Sequence, residues 1–248
     1  MKQSKLIKLL IVAFTLGMFA VANAAEIKAV KINGPIPIQP DDPFWSERYG
    51  PTSLKHVIVD MDPQMITNPM WPNPSTKYVF VKAATNGKEI AVHLEYNDAT
   101  RNDIMVQSQQ YKDQAAIMFP VNQSGDEPPF TMGGDGERVN IWQWKSIGGE
   151  KGQPGVRKKN KLAYQTVEDL NAEGYSTLTY QSQQDVKGTA LWKDNKWRLI
   201  LKRDLVDGDS NDVQFKQSVL MAVAVWNGSN RELNGQKGIA GWMLLKFN

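Results

Sequence analysis

The chain has no cysteine among its 248 residues. That excludes disulfides, thiolate zinc sites, iron–sulfur clusters and covalently attached haem, which needs a Cys-x-x-Cys-His motif. Histidine is almost as scarce, with only His56 and His93. There is no Gly-x-Ser-x-Gly elbow, no phosphate-binding glycine loop and no His-Glu-x-x-His motif. Nothing points to a Ser/His/Asp triad either, which disfavours an enzyme acting by itself. Long apolar runs are also missing. Residues 9–21 form the longest, broken by Thr15 and Gly17, and a membrane span needs about 20 apolar residues.

That run belongs to another pattern. Lys2, Lys5 and Lys8 precede it, and Ala22-Asn23-Ala24 follows it with small residues at the two positions a signal peptidase reads. This is the layout of a cleavable secretory signal over residues 1–24. It predicts an exported, periplasmic mature protein that starts at Ala25 and has no membrane span. The signal carries three of the 29 basic residues and none of the 26 acidic ones, so its removal balances the two signs. The basic pI therefore carries no message about nucleic acid, and no basic stripe interleaved with aromatics supports that partner. The cluster Arg157, Lys158, Lys159 and Lys161 sits among glycine and proline and reads as a solvated loop.

What is present is a period of two. Residues 89–96 place Ile90, Val92, Leu94 and Tyr96 on one face, and Asn86-Gly87 joins them to residues 78–84 as a hairpin. A second hairpin links residues 189–193 and 196–202 through Asp194-Asn195, with Trp197, Leu199 and Leu201 on one face. Further strands are expected over 115–119, 139–144, 176–181, 220–226 and 242–247. Residues 98–111 and 166–173 are expected to hold a turn or two of helix each. Many short strands separated by Gly, Pro, Asn and Asp predict an all-β, antiparallel β-sandwich with a few short helices, as one domain over residues 25–248.

The run 207–212 has the acid and glycine content of a calcium loop, but its spacing does not fit the EF-hand pattern. A turn after the strand ending near Leu205 accounts for it. His93 alternates with the apolar face of its strand and reads as an exposed or hydrogen-bonded sheet residue. Two loops hold more. In the first, Met132 stands between Pro128-Pro129 and Gly133-Gly134, and glycine lets a flat group approach the backbone closely. In the second, Lys237 stands among polar turn residues between two apolar strands. Residue by residue, a core methionine and a solvated lysine are the better explanations.

Taken together, three stretches are similar to one family. They are Asp42-Pro43-Phe44-Trp45, the Met132-Gly133-Gly134 segment leading to Trp142-Gln143-Trp144, and the segment Trp226-Asn227-Gly228 through Arg231, Asn234-Gly235 and Lys237 to Trp242. The family is the haem b-binding gamma subunit of type II dimethyl sulfoxide reductases, a group that includes chlorate reductase, selenate reductase, dimethyl sulfide dehydrogenase and ethylbenzene dehydrogenase. The resemblance runs from about Asp42 to the C-terminus. It implies a β-sandwich that holds one non-covalent haem b between a Met and a Lys, which in this sequence are Met132 and Lys237. It implies electron transfer rather than catalysis, within a heterotrimer with an iron–sulfur beta subunit and a molybdenum-containing alpha subunit. A soluble carrier such as a c-type cytochrome would exchange electrons with it. No catalytic residue is carried over.

The implied chemistry is coherent. A thioether favours reduced iron, and a lysine binds iron only as the neutral amine, which burial promotes. Trp142, Trp144 and Trp226 have two readings, as walls of the haem slot beside Gly133 or as sandwich core. Two rival functions remain at this stage. A haem-free carbohydrate-binding sandwich would use exposed tryptophans, of which eight are available. A Met/His haem site would use His56 or His93 in place of Lys237.

Overall fold

The computed structural model describes residues 25–105, 107–123, 127–146 and 167–247. The expected signal segment and the basic cluster at 157–161 lie outside the described residues. Thirteen strands follow in chain order. They are β1 (Glu26–Lys31), β2 (Val57–Asp60), β3 (Asp62–Pro63), β4 (Tyr78–Thr85), β5 (Glu89–Asn97), β6 (Gln114–Pro120), β7 (Val139–Lys145), β8 (Val167–Ala172), β9 (Thr179–Tyr180), β10 (Lys187–Lys193), β11 (Lys196–Asp204), β12 (Val219–Trp226) and β13 (Gly238–Phe247). Among the described residues helix is confined to short 3-10 turns such as Pro43–Trp45 and Gly228–Asn230. The all-β class is borne out.

The strands form one sheet in the order β10-β11-β5-β4-β1-β13-β12-β6-β7-β8-β9, with β2 on β4 and β3 on β13. Pairing is antiparallel except at β1, which runs parallel to both β4 and β13. The sheet curls over itself. Trp144 of β7 and Trp197 of β11 are far apart in strand order, yet their rings meet at 4.6 Å edge to face. The main core lies inside this curl.

Local chemistry sets the hairpins. In the β4–β5 turn the Asn86 side chain accepts the Lys88 and Glu89 amides, and Gly87 takes φ +83°. In the β10–β11 turn Asp194 and Asn195 both adopt positive φ, as a type I′ turn requires. The alternation then buries Ile90, Val92, Leu94 and Tyr96 of β5 against Trp197, Leu199 and Leu201 of β11. Each such side chain contributes roughly 1.5–3 kcal/mol on burial.

Residues 166–173, expected to be helical, instead hold strand β8, which lies between β7 and β9. All six of its residues are buried. Its inner face carries Val167, Asp169 and Asn171, so hydrogen bonds replace apolar contacts there and the period of two is hidden. The described residues of 98–111 are irregular rather than helical, and β9 keeps only two of the six residues expected at 176–181.

The two outer faces of the sheet are covered differently. Residues 32–54 pack Ile36, Trp45 and Leu54 onto Ala84, Ala91 and Ile200. The Asp42-Pro43-Phe44-Trp45 motif therefore belongs to a cover. Asp42 caps its turn by accepting the Phe44 amide at 2.9 Å, and Trp45 stacks on His93. The opposite outer face, on β6, β7, β12 and β13, carries a smaller cluster and is left to loops.

Candidate functional site

On that second face lies a cavity of about 800 Å³, within the roughly 300–1,000 Å³ range of sites that enclose a ligand. Its floor follows from strand parity. Ala115, Ile117 and Phe119 of β6 enter the main core, which turns Gln114, Ala116 and Met118 outward. Ala224 lies opposite Ala116 and Ala222 opposite Met118 across β12, while Ile141 lies opposite Met118 across β7. Three alanines on adjacent strands make a flat floor on which a planar group can lie.

Loops make the walls. The β6–β7 connection supplies Phe130 and Met132, and the β8–β9 connection supplies Tyr175 and Leu178. The β5–β6 connection supplies Tyr111 and Lys112, and the β12–β13 connection supplies Asn234 and Lys237. Met132 and Lys237, far apart in the sequence, thus line one space.

Met132 is held in a costly conformation. Its φ is +76°, left-handed backbone that a non-glycine residue seldom adopts, and Gly133 follows at +79°. The Met132 carbonyl accepts the Gly174 amide at 2.8 Å, and the Gly133 amide donates to Pro129 at 2.8 Å. A Cβ on Gly133 would meet the Glu137 carbonyl oxygen at 2.3 Å. Gly133 is buried behind Met132 and does not line the cavity. Its part is to let the turn close.

Lys237 is half-buried, and its Nζ lies 4.8 Å from the centroid of the Trp226 ring. No carboxylate among the described residues pairs with it. Burial alone pushes its ammonium down to about 8. The other two lysines of the lining are different: Lys145 binds Glu168 at 2.5 Å, and burial lowers Lys112 while Asp103 opposes the shift. The loop bearing Lys237 is pinned by Glu232, which accepts the Asn227 amide at 2.7 Å, the Ser75 amide at 3.0 Å and the Trp71 indole at 3.0 Å.

Of the three tryptophans, Trp226 lines the cavity and donates to the Asn234 carbonyl at 3.0 Å. Trp142 and Trp144 point the other way, into the main core. Trp142 is packed among Phe119, Phe215 and the Arg203 guanidinium, so of the two readings given for this pair the structure places both in the core. Neither histidine reaches the cavity. His93 is buried beside Trp45, and burial together with Lys82 lowers it to about 4. His56 pairs with Glu47. The alanine floor, Tyr111 and Tyr175 are lining residues that the sequence did not reveal. The missing signal was that β6 and β12 are apolar on both faces.

The ethylbenzene dehydrogenase family model matches residues 25–174 and 156–238. A candidate haem subunit of respiratory nitrate reductase from Haloferax mediterranei is 28% identical over 213 residues, covering 85% of this chain and 68% of the relative. The chlorate reductase gamma subunit of Ideonella dechloratans is 28% identical over 176 residues, covering 70% of this chain and 66% of the relative. Among solved structures, a candidate carbohydrate-binding protein from Bacteroides uniformis is similar with a TM-score of 0.51 at 10% identity, covering 91% of this chain and 100% of that one. That likeness speaks for the fold alone. The family match extends over most of the sequence, and the chain belongs to the ethylbenzene dehydrogenase family, as its resemblance to the gamma subunits of type II dimethyl sulfoxide reductases implied.

Proposed function

We propose that this chain is an electron-transfer subunit that binds one haem b in the cavity, with Met132 and Lys237 as the axial ligands. The observation that carries the reading is the pairing itself: a methionine in a strained turn and a lysine that has no carboxylate partner among the described residues line one flat-floored, largely apolar space. Haem iron bound there would cycle between ferric and ferrous and carry one electron. The residues fit the group. Met132 offers a soft thioether, and Lys237 needs little cost to lose its proton. Trp226 supports the lysine from below. Lys112 and Lys145, with Gln114 and Gln143, form a polar end suited to carboxylate side chains of a cofactor.

Held by both Met132 and Lys237, such a group would relay electrons rather than act on a substrate. The named relatives, a haem subunit and a gamma subunit of reductases, support a place in a multisubunit complex. In the reading offered here an iron–sulfur beta subunit lies next to this chain and a molybdenum alpha subunit beyond it, in the periplasm, with a soluble c-type cytochrome as external carrier. The exposed apolar residues at the cavity mouth, among them Met105, Phe130 and Leu233, suit a surface covered by cofactor and partner. The carbohydrate-binding alternative is disfavoured, because six of the eight tryptophans are buried and Trp71 and Trp192 are only partly exposed.

An absorbance scan of the purified protein, oxidised and then reduced, tests the reading. A b-type spectrum is expected. Lys237→Ala should admit carbon monoxide or imidazole, and Met132→Ala should lower the potential. A colourless protein after purification with haem supplied, or a spectrum lost on changing His56 or His93 but not Lys237, would overturn it.

A further inference from the structure

A second cluster of ionisable groups lies away from the cavity, where the two ends of the sheet meet. Asp207 and Asp212 come from the β11–β12 connection, Asp185 from the segment entering β10, and Asp169 from β8. One oxygen from each of Asp185, Asp207 and Asp212 lies within 4.8 Å of the others. Two oxygens on one Ca²⁺, each at about 2.3–2.6 Å, are at most about 5 Å apart. A single ion can therefore touch all three.

The charge balance is one-sided. The cation facing these carboxylates is Arg203, whose Nη1 reaches Asp212 Oδ1 at 3.0 Å and whose Nε reaches Asp207 Oδ2 at 3.3 Å. Gln181 Nε2 donates to Asp212 Oδ1 at 2.8 Å and to Asp169 Oδ1 at 3.2 Å. Asp212 and Asp169 are only 2% and 1% exposed, yet the Oδ2 atom of each has no donor, and neither has Gln181 Oε1. Every orphaned atom is an acceptor. Burial raises Asp169 to about 8, reinforced by the Asp212 charge, and raises Asp212 to about 7. Among the described residues, the one cation paired with this cluster is Arg203, against the carboxylates of Asp169, Asp185, Asp207 and Asp212.

We propose that Asp185, Asp207 and Asp212 bind a divalent cation of the calcium class that ties the segment entering β10 to the β11–β12 connection. The donors are all hard oxygens on loops, with no nitrogen or sulfur, which suits Ca²⁺ over transition metals. Asp207 is already oriented, since its Oδ1 accepts the Asp209 amide at 2.9 Å and Gln214 Nε2 at 2.7 Å. The turn expected at 207–212 is present, and the third carboxylate comes from a segment the local pattern could not associate with it. This site is independent of the haem reading.

The test is thermal unfolding of the full mature chain, stripped with EGTA and then titrated with CaCl₂, alongside calorimetric Ca²⁺ binding. Saturation at about 100 times Kd should raise Tm by roughly 5–10 °C. Asp185 makes no hydrogen bond or ion pair among the described residues, so Asp185→Asn should fold normally and lose the Ca²⁺ response by at least tenfold in Kd. Asp212→Asn should lose it too. No binding and no Tm shift in the wild type, a Ca²⁺ response unchanged in Asp185→Asn, or an Asp212→Asn variant that is more stable than the Ca²⁺-saturated wild type would each overturn the proposal.

Discussion

Trp242 donates its indole N–H to the Pro128 carbonyl at 2.7 Å. Pro128 opens the turn that holds Met132, and Trp242 stands on β13, which begins directly after Lys237. One hydrogen bond thus ties together the two elements that carry the proposed ligands. Trp242→Phe keeps the ring and removes the donor. Leaving the Pro128 carbonyl without its partner should cost about 1–3 kcal/mol. Urea denaturation should show the loss, and reduced haem retention should accompany it. Unchanged retention would mean that the Met132 turn is held by its own backbone bonds.

Gly133 and Gly136 allow a controlled comparison. Both have positive φ, but only Gly133 faces backbone at 2.3 Å, and nothing lies within 4 Å of the Cβ position at Gly136. Gly136→Ala should cost about 1 kcal/mol, the left-handed penalty alone. Gly133→Ala should cost clearly more, about 2 kcal/mol or above, and displace Met132. Stability by denaturant and the visible spectrum measure the two parts. Equal costs would show that the turn yields at Gly133.

Lys237 links stability to pH. In haem-free protein its folded value is about 8, below the ordinary 10.5. Between those values the unfolded chain binds more protons, so stability rises as pH climbs from about 8 to about 10.5. Lys237→Met should remove that rise. With haem present, a proton competes for the same nitrogen, so acidification should favour loss of the lysine ligand. A pH series of melting curves on both proteins checks the sign.

Asp113 acts in the opposite direction. It accepts the Asn102 amide at 2.7 Å, the Gly228 amide at 2.8 Å and the Trp197 indole at 3.0 Å, and so braces two loops around the cavity. Burial and the neighbouring Asp98 raise it to about 7, with Tyr96 and Glu232 also close. The folded state therefore binds the extra proton, and its stabilisation is lost as pH rises from about 4 through 7. Asp113→Asn should flatten that decline while costing about 1–3 kcal/mol in hydrogen bonding. A variant with the wild-type pH slope would place the titration elsewhere.

Much was legible in the sequence. Turn residues such as Asn86-Gly87 and Asp194-Asn195 and the alternation in β5 and β11 act over a few positions, and they determined the hairpins and the inner core. The absence of cysteine and the glycine-flanked Met132 narrowed the chemistry in the same local way. Tertiary structure decided the rest, because each remaining question turned on a second face. Trp142 and Trp226 look alike in sequence, but parity and curl send one into the core and the other beneath Lys237. On the inner face of β8, Asp169 accepts from the Asn140 side chain and Asn171 donates to the Asn211 carbonyl, partners from other segments that stand where apolar contacts would be, so a strand looked helical. Whether a lysine is solvated or driven towards neutrality depends on what surrounds it in space, and for Lys237 that is the Trp226 ring and a cavity walled by loops from four separate connections.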